Sequence, residues 1–135
     1  MIVDTSALLA YFDTDEPDHR AVSSVLGDTS EMLVVSPFVV AEVDYLVATR
    51  LGVAAELAVL GELAGGAWEL PAIVAEDLRQ ARSIIDRYRD QQIGVADASI
   101  VVLAARYATR TIITLDHRHF DVLRPLTGGR FRVLP

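Results

Sequence analysis

Four carboxylates in this chain stand where a carboxylate has little structural reason to be. Asp4 ends the short apolar run Met1-Ile2-Val3, and Asp116 ends the β-branched run Thr111-Ile112-Ile113-Thr114-Leu115. Asp97 opens the most hydrophobic helical stretch, with Ile100 and Val101 one turn on. Glu42 lies among Phe38, Tyr45 and Leu46 at helical spacings, on a stripe that otherwise reads as apolar. A charged, unpaired glutamate on such a stripe is costly, so it must snorkel, shift its pKa or meet a cation.

Each acid alone has an ordinary explanation. Asp4 could cap the helix after the first strand, although Thr5 or Ser6 could do the same. Asp97 could be an N-cap, Asp116 could cap a turn, and Glu42 could pair with an arginine. Together these explanations need four separate coincidences. Convergence needs only an open α/β sheet, whose ligands bind beyond the carboxyl ends of the strands.

A site of four carboxylates is a hard-cation site. Oxygen ligands favour Mg²⁺ or Mn²⁺, and one ion, or two about 4 Å apart, would suit in-line displacement at a phosphodiester. His117 and His119 form a His-x-His pair, but no further His or Cys lies near enough in sequence to complete a transition-metal set. His119 reads instead as a hydrogen-bonding residue near the acids, and His19 as exposed.

The elements that must position these acids follow from periodicity and punctuation. Residues 1–3 read as a strand, followed by a helix through Leu8, Leu9, Tyr11 and Phe12. Pro17 suits the first turn of a second helix, which Gly27 ends. Met32 to Val35 read as a buried parallel strand. Ser36-Pro37 reads as an N-cap and first helical residue, and the helix they open ends near Leu51, before Gly52. On that helix Asp44 points away from Glu42 and reads as solvated.

Ala54 to Leu63 give another helix, Trp68 to Leu70 a short strand, and Ile73 to Arg89 a long helix. The long helix carries Leu78, Ala81, Ile85 and Tyr88 on one face. Arg79, Arg82, Arg87 and Arg89 lie on the other, as a solvated face or an RNA-contacting one. Gln91 to Ala96 read as a loop before the helix of Asp97. After the strand that ends at Asp116 come a short helix near Val122 and Leu123 and a last strand, Phe131 to Leu134. Short strands alternating with helices predict a mainly parallel sheet covered on both faces.

Composition narrows the class. One domain spanning residues 1–135 is the expectation for 135 residues with 52 % apolar content. The absence of cysteine removes disulfides, thiolate metal sites and cysteine nucleophiles. No apolar run is long enough to span a bilayer and no signal-peptide pattern is present, so a cytoplasmic protein is expected. The net charge of −7 runs against nucleic-acid binding. Bound cations would reverse that field locally, and the twelve basic residues are all arginine, the better fork for phosphate.

Four motifs in order then resemble the PIN-domain ribonucleases, and more narrowly the VapC toxins of bacterial toxin–antitoxin pairs. They are Ile-Val-Asp-Thr-Ser-Ala at Asp4, Ser-Pro-(x)4-Glu at Glu42, Val-Ala-Asp-Ala-Ser at Asp97 and Thr-Leu-Asp-His-Arg-His-Phe at Asp116. The resemblance implies a PIN-like three-layer α/β/α sandwich with a mainly parallel sheet. It also implies a Mg²⁺- or Mn²⁺-dependent endoribonuclease with Asp4, Glu42, Asp97 and Asp116 as its acidic quartet. Asp4 and Asp97 would be direct ligands, Glu42 would ligate or hold water, and Asp116 would ligate directly or through water. Ser6 and Thr114 would support the site. A homodimer, RNA as substrate and a VapB-like antitoxin as inhibitor complete what the resemblance implies.

Two other classes compete. A haloacid-dehalogenase-like phosphatase would need a second acid two residues after Asp4, where Ser6 stands, and a lysine, of which there is none. A degenerate PIN-like domain that only binds a partner would not need four intact acids.

Overall fold

A computed structural model describes every residue from Met1 to Pro135. Its centre is a four-stranded, all-parallel sheet of very short strands. These are β1 (Ile2–Val3), β2 (Val34–Val35), β3 (Thr111–Ile113) and β4 (Arg132–Leu134), in the order β2-β1-β3-β4. Ile2 pairs with Val34 on one side and Ile112 on the other; Ile112 in turn pairs with Val133. Every residue of β1 and β2 is buried, as β-branched runs covered on both faces should be.

The helices are α1 (Thr5–Phe12), α2 (His19–Gly27), α3 (Pro37–Leu51), α4 (Val53–Leu63), α5 (Ala75–Arg87), α6 (Val95–Arg106) and α7 (His117–Val122). The chain leaves β1 through α1 and α2 to reach β2 on one side, then returns through α3 to α6 to reach β3 on the other. Right-handed crossovers of opposite direction put the two helical groups on opposite faces. The strand order therefore reverses at β1, and a crevice opens beyond the C-terminal ends of β1 and β3.

Local chemistry sets several of these boundaries. Ser36 caps α3, accepting the Phe38 N–H at 3.3 Å, and Pro37 takes the first helical position. Gly52, at φ +88°, ends the helix in a conformation that side chains resist. The Ser99 hydroxyl donates to the Ala96 carbonyl (2.7 Å), so Ser36 must donate to Ser99 across their buried 2.6 Å contact. That bond pins the N-terminal half of α6 against the start of α3. Seven consecutive residues of α6, Ala98 to Ala104, are buried, which makes it the central helix of the core.

Several local expectations are corrected. The strand read over Met32 to Val35 is only Val34–Val35, with Met32 exposed, and Trp68 to Leu70 contributes one parallel bridge, Glu69 with Val34. On α3 the buried face is Val39, Val43 and Val47; Tyr45 and Glu42 are exposed. Asp44 is not freely solvated, because it faces Glu56 of α4. Burial, then the Asp44 charge, hold the Glu56 carboxyl above its usual range. On α5 Leu78 points outward at 47 % exposure, while Asp77 is buried. A single 3-10 turn, Arg89–Gln91, occupies part of the expected loop before α6. His19 is half-buried rather than exposed, with Nδ1 2.8 Å from the Ala10 carbonyl. No helix is long and apolar enough to cross a membrane.

Candidate active site

The crevice beyond β1 and β3 holds a cavity of about 240 Å³ lined by Asp4, Thr5, Ser6, Leu9, Glu42, Asp97, Asp116 and His119. All four acids singled out in the sequence line it, from four separate segments. Ser6 lines it as well, and Thr114 lies directly beneath.

Asp4 is held there by the sheet. It is only 6 % exposed, and its N–H donates to the Ile113 carbonyl at 2.9 Å. It occupies the N-cap position of α1 but caps nothing with its side chain. Instead Oδ2 accepts from the Ser6 hydroxyl at 3.0 Å and the Thr114 hydroxyl at 2.7 Å. Each hydroxyl also accepts a backbone N–H: Leu115 donates to Ser6 at 2.9 Å and Asp116 to Thr114 at 3.0 Å. Both proton donations land on Oδ2, so Oδ1 is left for the cavity.

Asp97 sits in the first turn of α6. Its Oδ2 accepts from the Gly94 N–H at 3.4 Å, which is the capping role, and from His119 Nδ1 at 3.0 Å. Burial raises its pKa, the His119 charge opposes that, and the Asp4 and Glu42 charges add to the rise. Like charges are thus crowded around the Asp97 carboxyl. Glu42 reaches the cavity from the exposed side of α3, where the Thr5 hydroxyl donates to Oε2 at 2.5 Å.

Asp116 caps α7, accepting the Arg118 N–H at 3.2 Å. The Arg118 guanidinium then forks the same carboxylate and holds it below the usual range. Sequence reasoning missed this pair and also missed Thr5, which it took only as a possible cap. His119 lies where it was expected, beside the acids; His117 is not among the cavity residues.

As placed, no three of the acids and histidines form a closed metal cage. Each carboxylate is instead engaged by a neighbour: hydroxyls for Asp4 and Glu42, His119 for Asp97, Arg118 for Asp116. An oxygen-only set, crowded in charge and short of three ready ligands, still fits Mg²⁺ or Mn²⁺. Such ions keep several waters and need only one or two carboxylates. It does not fit a closed structural zinc site.

The PIN domain family matches residues 1–124 of the chain. Over all 135 residues, the whole of both chains, the sequence is 66 % identical to Ribonuclease VapC26 of Mycobacterium tuberculosis. The fold is also similar to solved structures at much lower identity. One is VapC20 of Mycobacterium tuberculosis, described as a sarcin–ricin loop cleaving toxin. Its TM-score is 0.85 at 18 % identity, over 99 % of this chain and 98 % of that one. VapBC2 of Rickettsia felis, bound to a promoter DNA fragment, has a TM-score of 0.73 at 15 % identity, over 99 % and 98 %. DNA-bound VapBC of Salmonella typhimurium has a TM-score of 0.71 at 18 % identity, over 98 % and 96 %. These structural likenesses are of fold.

Proposed function

The chain belongs to the PIN-domain family, among its VapC ribonucleases, and from that premise we propose that Asp4, Glu42, Asp97 and Asp116 carry its hydrolysis of RNA. The observation that supports this reading is the cavity itself: four acids from four segments face one crevice at the carboxyl edge of a parallel sheet.

In this reading Asp4 and Asp97 would hold a divalent cation, Mg²⁺ or Mn²⁺, directly, and Glu42 and Asp116 would ligate it or hold its waters. When bound, the cation supplies charge stabilisation for in-line displacement at phosphorus and makes water easier to deprotonate. The chain's own side chains do the positioning. Ser6 and Thr114 fix one oxygen of Asp4 and leave the other to the cavity. Thr5 fixes the rotamer of Glu42. His119 orients Asp97 through an Nδ1 proton, in the manner of the outer partners that orient metal ligands. Water attacks the phosphorus, the P–O bond to the leaving ribose oxygen breaks, and the proton lost by the water is balanced by one gained by that oxygen through solvent, giving a phosphate monoester and a ribose hydroxyl.

The whole chain, residues 1–135, acts as one PIN unit in this reading, in the cytoplasm and as a homodimer. Its inhibitor is a VapB-like antitoxin, a reading supported by two structural neighbours that are VapBC assemblies. A second cavity of about 580 Å³, lined by Tyr11, Phe12, Leu51 and Ala55 among others, offers the apolar groove that an amphipathic antitoxin segment would cover.

The test is cleavage of total RNA by antitoxin-free protein in Mg²⁺ or Mn²⁺, against EDTA and against Asp4→Asn and Asp97→Asn. Cleavage is expected only for the wild type with cation. Undiminished cleavage by the folded variants would remove the site assignment. No cleavage by the wild type would leave a PIN domain that only binds.

A further inference from the structure

An RNase with a net charge of −7 must still attract a polyanion. The charge is unevenly divided along the chain. Residues 1–97 carry seventeen acids against six arginines, whereas residues 98–135 carry six arginines against two acids. Asp121 is the last acid, and Arg124, Arg130 and Arg132 follow it.

Part of this basic segment folds into a pocket. A cavity of about 340 Å³ lies between the end of α5 and the loop from α7 to β4, lined by Arg87, Tyr88, Arg124, Gly128 and Gly129 with neighbouring apolar residues. No carboxylate lines it, and neither arginine has an ion-pair partner. Arg124 is held in place, its Nη1 donating to the Asp121 and Leu123 carbonyls at 2.8 and 3.0 Å. The Arg87 guanidinium lies 5.7 Å from the Tyr88 ring centre.

A third guanidinium backs the loop. A Cβ at Gly129 would stand 2.9 Å from Arg110 Nη1, so the missing side chain is what lets Arg110 lie against the backbone. Gly129 also has φ +84°, which disfavours any other residue. The Gly129 and Arg130 amides donate to no acceptor within the chain. Two guanidinium groups, Arg87 and Arg124, and the free Gly129 N–H around a space without carboxylates are the chemistry of phosphate recognition.

We propose that this pocket, formed by Arg87, Arg124 and the Gly128–Gly129 loop, is a second phosphate-binding site that holds a phosphodiester of the RNA substrate away from the bond that is cleaved. The proposal rests on the ribonuclease function given above. Its place suits that role. Only the six residues of α7 separate the caps at Asp116 and Leu123, a rise of roughly 9 Å, and Arg124 follows at once. The Gly128–Gly129 loop enters β4 beside Arg110, at the start of β3, so an RNA strand held at both sites runs alongside α7 and the β4 edge from one end of the sheet toward the other. Arg87, a member of the arginine face read from the sequence as solvated or RNA-contacting, takes the RNA role here; Arg79 and Arg89 pair with Glu76 and Asp86.

The test compares wild type, Arg87→Gln/Arg124→Gln and the charge-matched control Arg20→Gln/Arg79→Gln, each with its fold checked by circular dichroism. Binding of a fluorescent single-stranded RNA is measured by anisotropy in EDTA, across a salt series. Cleavage of a long RNA and of a short oligonucleotide that spans only the cut site is then measured with Mn²⁺. The pocket variant is expected to bind about 10-fold more weakly, losing one charge-assisted phosphate contact. Its salt slope should fall by about 0.7, as for one phosphate on a single strand. Long-RNA cleavage should lose KM rather than kcat, and short-oligonucleotide cleavage should stay as in wild type.

Binding and slope equal to wild type would overturn the site. So would an equal loss in the control, or no binding by the wild type. Displacement of the RNA by polyglutamate as readily as by polyuridylate would also overturn it, since that would mark a site for acidic peptides. If wild type binds RNA through the pocket but cleaves nothing, the nuclease assignment fails and the binding site stands.

Discussion

Arg118 forks the carboxylate of Asp116 from two residues along the same chain, with Nε 3.0 Å from Oδ1 and Nη2 2.8 Å from Oδ2. This intrachain pair occupies the same oxygens that the proposed cation would need from Asp116. The guanidinium is 84 % exposed, so solvent screens the pair and it is weak. It is enough to compete without closing the site. Arg118→Ala is therefore expected to lower the Mn²⁺ concentration for half-maximal cleavage modestly, by up to about 5-fold. A metal titration of initial cleavage rates checks this; an unchanged midpoint would mean that Asp116 does not share in holding the cation.

Ser6 and Thr114 act on Asp4 and on the backbone at once. Removing either hydroxyl leaves Asp4 Oδ2 with a single donor and leaves the Leu115 or Asp116 N–H without its acceptor. Ser6→Ala and Thr114→Val should each lower cleavage by about 10- to 100-fold, the usual cost of losing a partner that orients a metal ligand. Thr114, being fully buried, should also cost about 1–3 kcal/mol of stability in urea unfolding. A stability loss with unchanged kcat would confine Thr114 to a structural role.

Much of this site was legible before the structure, for physical reasons that differ by residue. Asp4 and Asp116 end β-branched runs, and a parallel sheet aligns such ends automatically. The bounds of α3 follow from Ser36-Pro37 and Gly52, because caps are local chemistry. The side of α3 that faces inward was not legible. Phe38, Tyr45 and Leu46 suggested a stripe, but the smaller Val39, Val43 and Val47 form the buried row, so Glu42 reaches the cavity from the exposed side. Leu78 misled in the same way on α5. Asp77 turns inward there because Arg106, far along the chain, meets it. The Thr5–Glu42 and Ser6–Thr114 contacts likewise join residues that no local pattern links.

Asp97 is crowded by burial and by the charges of Asp4 and Glu42. Removing its charge should therefore relieve the cation-free protein while disabling it. Asp97→Asn is expected to raise Tm in EDTA relative to wild type. Adding Mg²⁺ should raise Tm of the wild type as binding to the native state requires, and should raise that of the variant far less. Differential scanning calorimetry in both conditions tests the pair of statements. A variant with lower Tm in EDTA would mean that the Gly94 cap and the His119 contact outweigh the crowding.

The Asp77–Arg106 pair gives a stability prediction remote from the acidic cavity. Arg106 Nη2 lies 2.5 Å from Asp77 Oδ1, and its Nη1 donates to the Ala72 carbonyl at 2.8 Å. Asp77 Oδ2 accepts the Val74 N–H at 2.8 Å. These bonds tie the end of α6 to the start of α5. The Arg106 hydrogen bond, then the Val74 amide, hold the Asp77 carboxyl below its ordinary 3.8. A carboxyl whose folded pKa is depressed stabilises the fold fully above the unfolded value and loses that contribution as pH falls through the folded one. Asp77→Asn should therefore cost about 2 kcal/mol at pH 7. The gap between variant and wild type should stay constant down to about pH 4 and narrow below it. Urea unfolding of both proteins across that range is the measurement, and a gap that widened on acidification would show that the charge on Asp77 opposes folding.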